Sequence, residues 1–269
     1  MSNDKNIITK TNDGYVVELF IKDQQDVDGI ADGITLLENG KKLTEDQYVE
    51  KYRTIVEKYN EKRIMIKVAE EKNDEQLKAI LRVAKEGDIS ILFAGVSSPI
   101  ELIEFKEKLK ECKQELNEKE IPYRNNIKIG TIVEIPSVAL NAYETARECD
   151  FFFIETDSLI DYTFGNKKNI GHAKFGPAII KLVKETIEGA HDAGIFCGIS
   201  GNILENEIYL PLLIGLGIDE FTVKKESIEK IRKIINKIDK SDCKEIAEDI
   251  KHLTKEEEIE DKLKQFIKN

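Results

Sequence analysis

Eight short runs rich in β-branched and aromatic residues, each followed by a longer segment of helical periodicity, set the narrowest limit on what this chain can become. The runs occupy 16–21, 34–37, 64–68, 89–93, 127–135, 151–155, 195–199 and 220–223, and the helical segments 26–31, 44–59, 74–86, 99–118, 137–148, 177–193, 203–215 and 227–237. Such alternation builds a parallel sheet, because a parallel crossover needs a dozen or more residues and a helix fills it. Eight units in 269 residues predict one α/β domain, a (β/α)8 TIM barrel, for which about 250 residues is typical. Thr44 and Gln47 have the spacing of a capping box, and Pro99 and Pro177 suit a first helical turn. Segment 26–31 is barely two turns and holds Gly29, so an irregular first corner is expected. The expected boundaries are an N-terminal extension over 1–13, the barrel over 14–240, and a tail of short helices over 241–269. Leu253, Ile259, Leu263 and Ile267 should pack that tail back onto the barrel.

Charge narrows the partners. A net charge of −11 repels phosphate backbones and anionic lipid, and no basic patch overrides it, so neither nucleic acid nor membrane is an expected partner. No run of about 18 apolar residues occurs, and the opening MSNDKNIITKTNDG lacks the apolar core of a signal peptide, which predicts a cytoplasmic protein. Cys112, Cys149, Cys197 and Cys243 are too widely spaced for a zinc motif and read as structural, reduced thiols.

In this architecture the carboxyl ends of the strands converge on one mouth, where function resides. Those ends carry Glu18 or Lys22, Glu38, Lys67, Glu70, Ser97, Ser98, Glu134, Glu155, Asp157, Ser158, Ser200, Asn202, Lys224 and Lys225. Glu134 is the sharpest signal, since it interrupts an apolar strand and precedes Pro136 and a helix start. Two readings of it stay open: a ligand-facing acid, or a carboxylate held by Lys67 or by a neighbouring backbone donor.

From Gly130 to Val223 the stretches GTIVEIPSVALNAYETARECDFFFIETDSLIDYT, PAIIKLVKETIEGAHDAGIFCGISG and IYLPLLIGLGIDEFTV resemble the phosphoenolpyruvate-binding barrel of the PEP-utilising enzymes. The likeness is greatest to the carboxy-terminal domain of phosphotransferase-system enzyme I. ADGITLL, LKAILRVAKEGDISILF and IEFKEKLKECKQEL extend it over most of the chain. The resemblance implies phosphoryl transfer from phosphoenolpyruvate to a histidine on a separate amino-terminal domain, which is expected to be absent here. His172, His191 and His252 do not stand in the phosphoacceptor's place.

The resemblance also implies a magnesium site made by a Glu after the fifth strand and the Asp of a GTND motif after the sixth. Glu134 matches the first. The second reads Glu155, Thr156, Asp157, Ser158, so Ser158 replaces the Asp and Asp157 the preceding Asn. Mg2+ demands near-ideal octahedral geometry, so an unoccupied metal site is the expectation, with Asp157 as the replacement ligand in the alternative. Where the family's GLLRTEF carries a phosphate-binding Arg, this sequence has Glu38; Lys67 and Lys168 stand near two other basic positions, and Asn202, after the seventh strand, is a further candidate to bind substrate. At an effective dielectric near 20 and ~4 Å a charge pair is worth about 4 kcal/mol, and at Glu38 its sign is reversed. Ser200 occupies the place of the family's proton-donating Cys in a GMCGE-like motif, and the connection from Glu70 to Asp74 has no room for the family's substrate-covering segment.

Three functions follow as expectations. The first is a degenerate relative that binds a small carboxylate or phosphorylated metabolite, or a partner protein, as a regulatory subunit. The second is a metal-dependent enzyme on phosphoenolpyruvate, pyruvate or a related oxo-acid. The third is a phosphotransferase subunit working with a separate phosphohistidine domain. A homodimer is also expected, with the stretch 203–218 as the contact region.

Overall fold

The structure is a computed structural model that describes residues 9–22, 31–37, 42–59, 61–68, 73–165 and 175–268. Eight parallel strands close into a barrel, each paired with the next and the last with the first. They are β1 (Glu18–Lys22), β2 (Gly33–Leu36), β3 (Arg63–Val68), β4 (Ile89–Phe93), β5 (Lys128–Val133), β6 (Phe151–Glu155), β7 (Phe196–Ser200) and β8 (Glu220–Val223). The helices are α1 (Glu45–Lys58), α2 (Asp74–Val83), α3 (Pro99–Glu118), α4 (Pro136–Leu140), α5 (Ala142–Ala146), α6 (Thr156–Phe164), α7 (Pro177–Asp192), α8 (Leu210–Leu216), α9 (Lys225–Ile235), α10 (Lys240–Ile250) and α11 (Glu256–Lys268). The expected TIM barrel is therefore the fold. The segment expected over 26–31 lies largely outside the described residues, as do Glu38, Glu70, Lys168 and His172.

Alternation along each strand divides the buried side chains into two sets. Ile21, Ile34, Ile66, Phe93, Val133, Ile154, Ile199 and Phe221 face the helices in the main core. Phe20, Met65, Leu92, Ile132, Phe151 and Phe153 form a separate cluster, which fills the lumen. Missing side chains make room for its rings: a Cβ on Gly33 would lie 2.2 Å from the Phe20 ring, and one on Gly130 2.4 Å from that of Phe151.

The amino-terminal face is stitched by aspartates that precede strands. Asp32 accepts from the Leu19 amide, Asp150 from Ile129 and Asp219 from Cys197, each at 2.8 Å. Each carboxylate thus satisfies a strand-start amide that has no ladder partner. Asp219 also meets His191 Nε2 at 2.9 Å and accepts from the Tyr15 hydroxyl at 3.3 Å.

Local chemistry accounts for most of the helix boundaries. The Thr44–Gln47 capping box forms at α1, and Pro99 and Pro177 sit in the first turns of α3 and α7. The segment expected as one helix over 137–148 breaks at Asn141, whose side-chain amide donates to the Ser137 carbonyl at 2.9 Å. The helix expected over 203–215 is two 3-10 turns followed by α8, because Pro211 lacks an amide hydrogen and is tolerated only in a first turn. Of the tail residues expected to pack inward, Ile259 and Leu263 are buried and Leu253 is half-buried, whereas Ile267 is exposed. Tyr209, Leu210, Leu212, Leu213, Ile214 and Ile218 are buried within this chain.

Candidate functional site

The mouth is built where the lumen-facing side chains of each strand end. Lys22 follows Phe20 on β1 and Lys67 follows Met65 on β3, and Phe20 and Met65 both point into the lumen, so the two lysines project into the mouth. Both are half-buried, and neither makes an ion pair among the described residues. Opposite them, Val133 pairs with Ile154, so Glu134 one step further along stands beside Glu155. Glu155 in turn pairs with Ser200, and Ser200 with Thr222. Among the described residues the mouth is thus divided, with lysines on the β1 and β3 side and carboxylates on the β5 and β6 side.

Each carboxylate is braced by a backbone donor. Glu134 Oε1 accepts from the Gly95 amide at 2.7 Å. Gly95 has φ +74, a left-handed conformation that suits glycine and turns its amide toward β5. The Ser137 hydroxyl donates to the Ser97 carbonyl at 2.7 Å, and Ser97 gives both its amide and its hydroxyl to Glu101, so the loop after β4 is tied to the end of β5. Glu134 therefore takes the backbone donor, not Lys67.

The motif after β6 folds into α6, a helix the sequence reading did not contain. Its N-cap is Glu155, which accepts from the Ser158 amide at 2.8 Å. Asp157 accepts from the Asn202 amide through both oxygens, at 3.1 and 3.2 Å. Burial holds the Asp157 carboxyl above the usual carboxylate range, and Glu155 and Asp161 add to this against Asn202 and Lys22. Thr156 donates to the Ser200 carbonyl at 2.9 Å, directly beneath Gly201, where a Cβ would lie 1.9 Å from Thr156 Oγ1. The ends of β6 and β7 are locked by these contacts.

Ser200 is fully buried, and its Oγ has no hydrogen-bond partner among the described residues. Asn202 is exposed at the rim, and Lys224 pairs there with Glu205. The structure therefore brings Lys67, Glu134, Asp157, Ser158, Ser200 and Asn202 to one face. It also brings Lys22 and Glu155 to the mouth's interior, two residues that lumen alternation could have ranked higher from sequence.

Among the described residues no three Asp, Glu, His or Cys side chains group where a metal ion could be held. Asp157 turns both oxygens to one amide, and Ser158 lies in a helical turn with its amide engaged by Glu155. Glu134 and Asp157, the two carboxylates that would hold a magnesium ion, are thus each engaged by a backbone amide. The four cysteines are free, and burial pushes the thiols of Cys112, Cys149 and Cys243 up to about 12 and that of Cys197 well above its usual value, which leaves them inert at neutral pH. No helix among the described residues is long and apolar enough to cross a membrane.

Residues 63–240 match the family described as PEP-utilising enzyme, PEP-binding domain. A phosphoenolpyruvate-protein phosphotransferase of Staphylococcus carnosus is 35% identical over 199 residues, covering 72% of this chain and 35% of the relative. The chain thus spans about a third of the length of the curated relatives it matches. Among solved structures, a citrate lyase of Burkholderia xenovorans superposes with a TM-score of 0.61 at 12% identity, covering 86% of this chain and 79% of that one. The CitE protein of Mycobacterium tuberculosis in complex with magnesium and acetate does so with a TM-score of 0.58 at 14% identity, covering 85% and 96%. These two likenesses are of fold.

Proposed function

The chain belongs to the PEP-utilising enzyme family, as a match to its PEP-binding domain, and from that premise we propose that it is a small-carboxylate-binding barrel, regulatory in role, that does not itself carry a phosphoryl group. The observation that carries this reading is the divided mouth. Lys22 and Lys67 enter from β1 and β3 without ion pairs among the described residues, facing the carboxylates of Glu134 and Glu155. Two half-buried ammonium groups attract a carboxylate, and the acids opposite can accept from a hydroxyl or an enol. The same acids repel a phosphate group seated against them, since each adds a like charge at short range. Lysine offers a point charge without the planar fork by which arginine clamps phosphate, which favours a carboxylate ligand over a phosphoryl donor. Acetate bound to a barrel of the same fold is consistent with this class.

Calorimetry with pyruvate, oxaloacetate, acetate and phosphoenolpyruvate, each with and without Mg2+, tests the reading. A simple carboxylate is expected to bind, and Lys67→Met to weaken it at least tenfold. Absence of binding by all four sinks the proposal. So does transfer of labelled phosphate from phosphoenolpyruvate onto the chain, which favours the phosphotransferase alternative, while binding that strictly needs Mg2+ favours the metal-dependent one.

A further inference from the structure

The lumen below the mouth gathers four polar side chains, Glu220, Thr222, Thr35 and Ser200, each no more than 1% exposed. Phe196 on β7 packs against the lumen cluster, so by alternation Gly198 and Ser200 face the lumen as well. Their register partners on β8 are Glu220 and Thr222. Thr35 follows Gly33 on β2, the glycine that lies against the Phe20 ring. All four side chains therefore point inward. Thr222 Oγ1 donates to Glu220 Oε1 at 2.8 Å and lies 3.0 Å from Thr35 Oγ1, so the hydroxyls of β8 and β2 meet across β1. Gly198 lets the carboxylate lean against β7, since a Cβ there would lie 3.1 Å from Glu220 Oε1.

Little balances the Glu220 carboxylate. Among the described residues its one hydrogen-bond donor is the Thr222 hydroxyl, while Glu220 Oε2 and the neighbouring Ser200 Oγ have no partner. Arg63, at the start of β3, attracts the anion but is itself paired with Glu18, and Asp219 and Asp32 oppose the charge. A buried carboxylate so placed is costly unless a proton or a cation neutralises it. The polar groups gathered around it are oxygens, one carboxylate and three hydroxyls, which are the donors that hard cations take. One negative charge matches one positive charge, whereas a divalent ion would leave an excess charge buried.

We propose that this group is a binding site for a monovalent alkali cation, sodium or potassium, with Glu220 as its anionic ligand and the hydroxyls of Thr222, Thr35 and Ser200 as neutral ones. Each hydroxyl can turn a lone pair to the cation while its hydrogen goes to a neighbouring oxygen. Thr35 is level with Lys22 and Ser200 with Glu155, so the ion lies directly below the mouth. There it neutralises the buried carboxylate and ties β2, β7 and β8 together under the floor on which a ligand rests. The site is made by lumen residues alone and does not depend on what the mouth binds.

Because the site is enclosed, binding is best read at equilibrium as stabilisation of the folded chain, which requires no entry path in the native state. Thermal melting of the full chain at about pH 8 is compared in choline, sodium and potassium chloride at equal ionic strength. Sodium or potassium is expected to raise the midpoint by roughly 3 °C or more over choline. At about pH 4.5, where a proton holds Glu220, the difference should vanish. Glu220→Gln should abolish the gain at the higher pH. Thr35→Val and Ser200→Ala keep the carboxylate and should each at least halve it, and this pair carries the comparison should Glu220→Gln not fold. In crystals, thallium(I) in place of potassium should give an anomalous scattering peak within bonding distance of Glu220 Oε2. Equal melting in the three salts overturns the site and leaves a proton or a buried water to balance Glu220. A gain that persists in Glu220→Gln, or a thallium peak found only elsewhere, places the ion on another part of the molecule and overturns it equally.

Discussion

The Glu134 carboxylate closes on the Gly95 amide at 2.7 Å, so the acid that marks the mouth also anchors the loop after β4. A hydrogen bond to a charged acceptor contributes about 1.5–3 kcal/mol. Glu134→Ala should therefore lower stability by about 2 kcal/mol and speed hydrogen exchange at Gly95, measured by NMR. Glu134→Gln keeps an acceptor and should cost less than half as much. Equal losses in the two variants would mean that the contact is not what holds the loop.

Glu220 makes stability depend on pH. Its folded value of about 7 lies above the ordinary 4.5, so the folded state binds the proton more tightly. Its contribution is fully present below about pH 4.5 and is lost as pH rises toward 7. A shift of this size corresponds to about 3 kcal/mol. Urea unfolding of wild type and Glu220→Gln at pH 4.5, 6 and 8 should show the wild type losing stability across that window relative to the variant. A constant difference between the two would overturn the assignment.

His191 acts in the same direction at the amino-terminal face. Its hydrogen bond with Asp219 raises the imidazole's value above 6.5, against partial desolvation. The stabilisation is present below pH 6.5 and disappears as pH rises through the raised folded value. His191→Asn should therefore destabilise more at pH 6 than at pH 9, read as the shift in urea midpoint. Asp219→Asn should do more damage at both pH values, because Asp219 also holds the Cys197 amide and the Tyr15 hydroxyl.

Gly201 is the tightest point of the rim. Its φ of +129 excludes most side chains, and a Cβ there would strike Thr156 Oγ1. Gly201→Ala should cost about 2 kcal/mol or more and disturb the Asp157–Asn202 contact. Thermal melting gives the first quantity, and the amide shift of Asn202 the second. A variant that melts like the wild type with an unmoved Asn202 amide would contradict the close approach.

The barrel was legible because its signal is repeated eight times, and every strand end falls within two residues of its expected position. What escaped was set by single contacts. Helix α6 was missed because its N-cap is a glutamate, Glu155, which the strand pattern claims as a strand end and which is not among the favoured capping residues. Pro211 could have moved the start of α8, since a proline within the segment expected over 203–215 must lie in a first turn. At the mouth, Glu134 stood out because an acid in an apolar strand breaks the pattern. Glu220 did not, because the sequence DEF at a strand start looks like an ordinary polar boundary; only closure of the sheet buries it between β7 and β1. Lys22 and Glu155 stood in the row of strand ends, and alternation along β1 and β6 would have set them apart as facing the lumen.

Closure of β8 onto β1 also bears on where this chain can be cut. The family match begins at residue 63, the first residue of β3, so a fragment chosen by that similarity would omit two of the eight staves. It would leave one flank of β3 and one of β8 with unpaired amides and carbonyls, a template for strand addition between copies. Such a fragment should aggregate where the closed barrel does not, which makes the family boundary a poor guide to the physical unit.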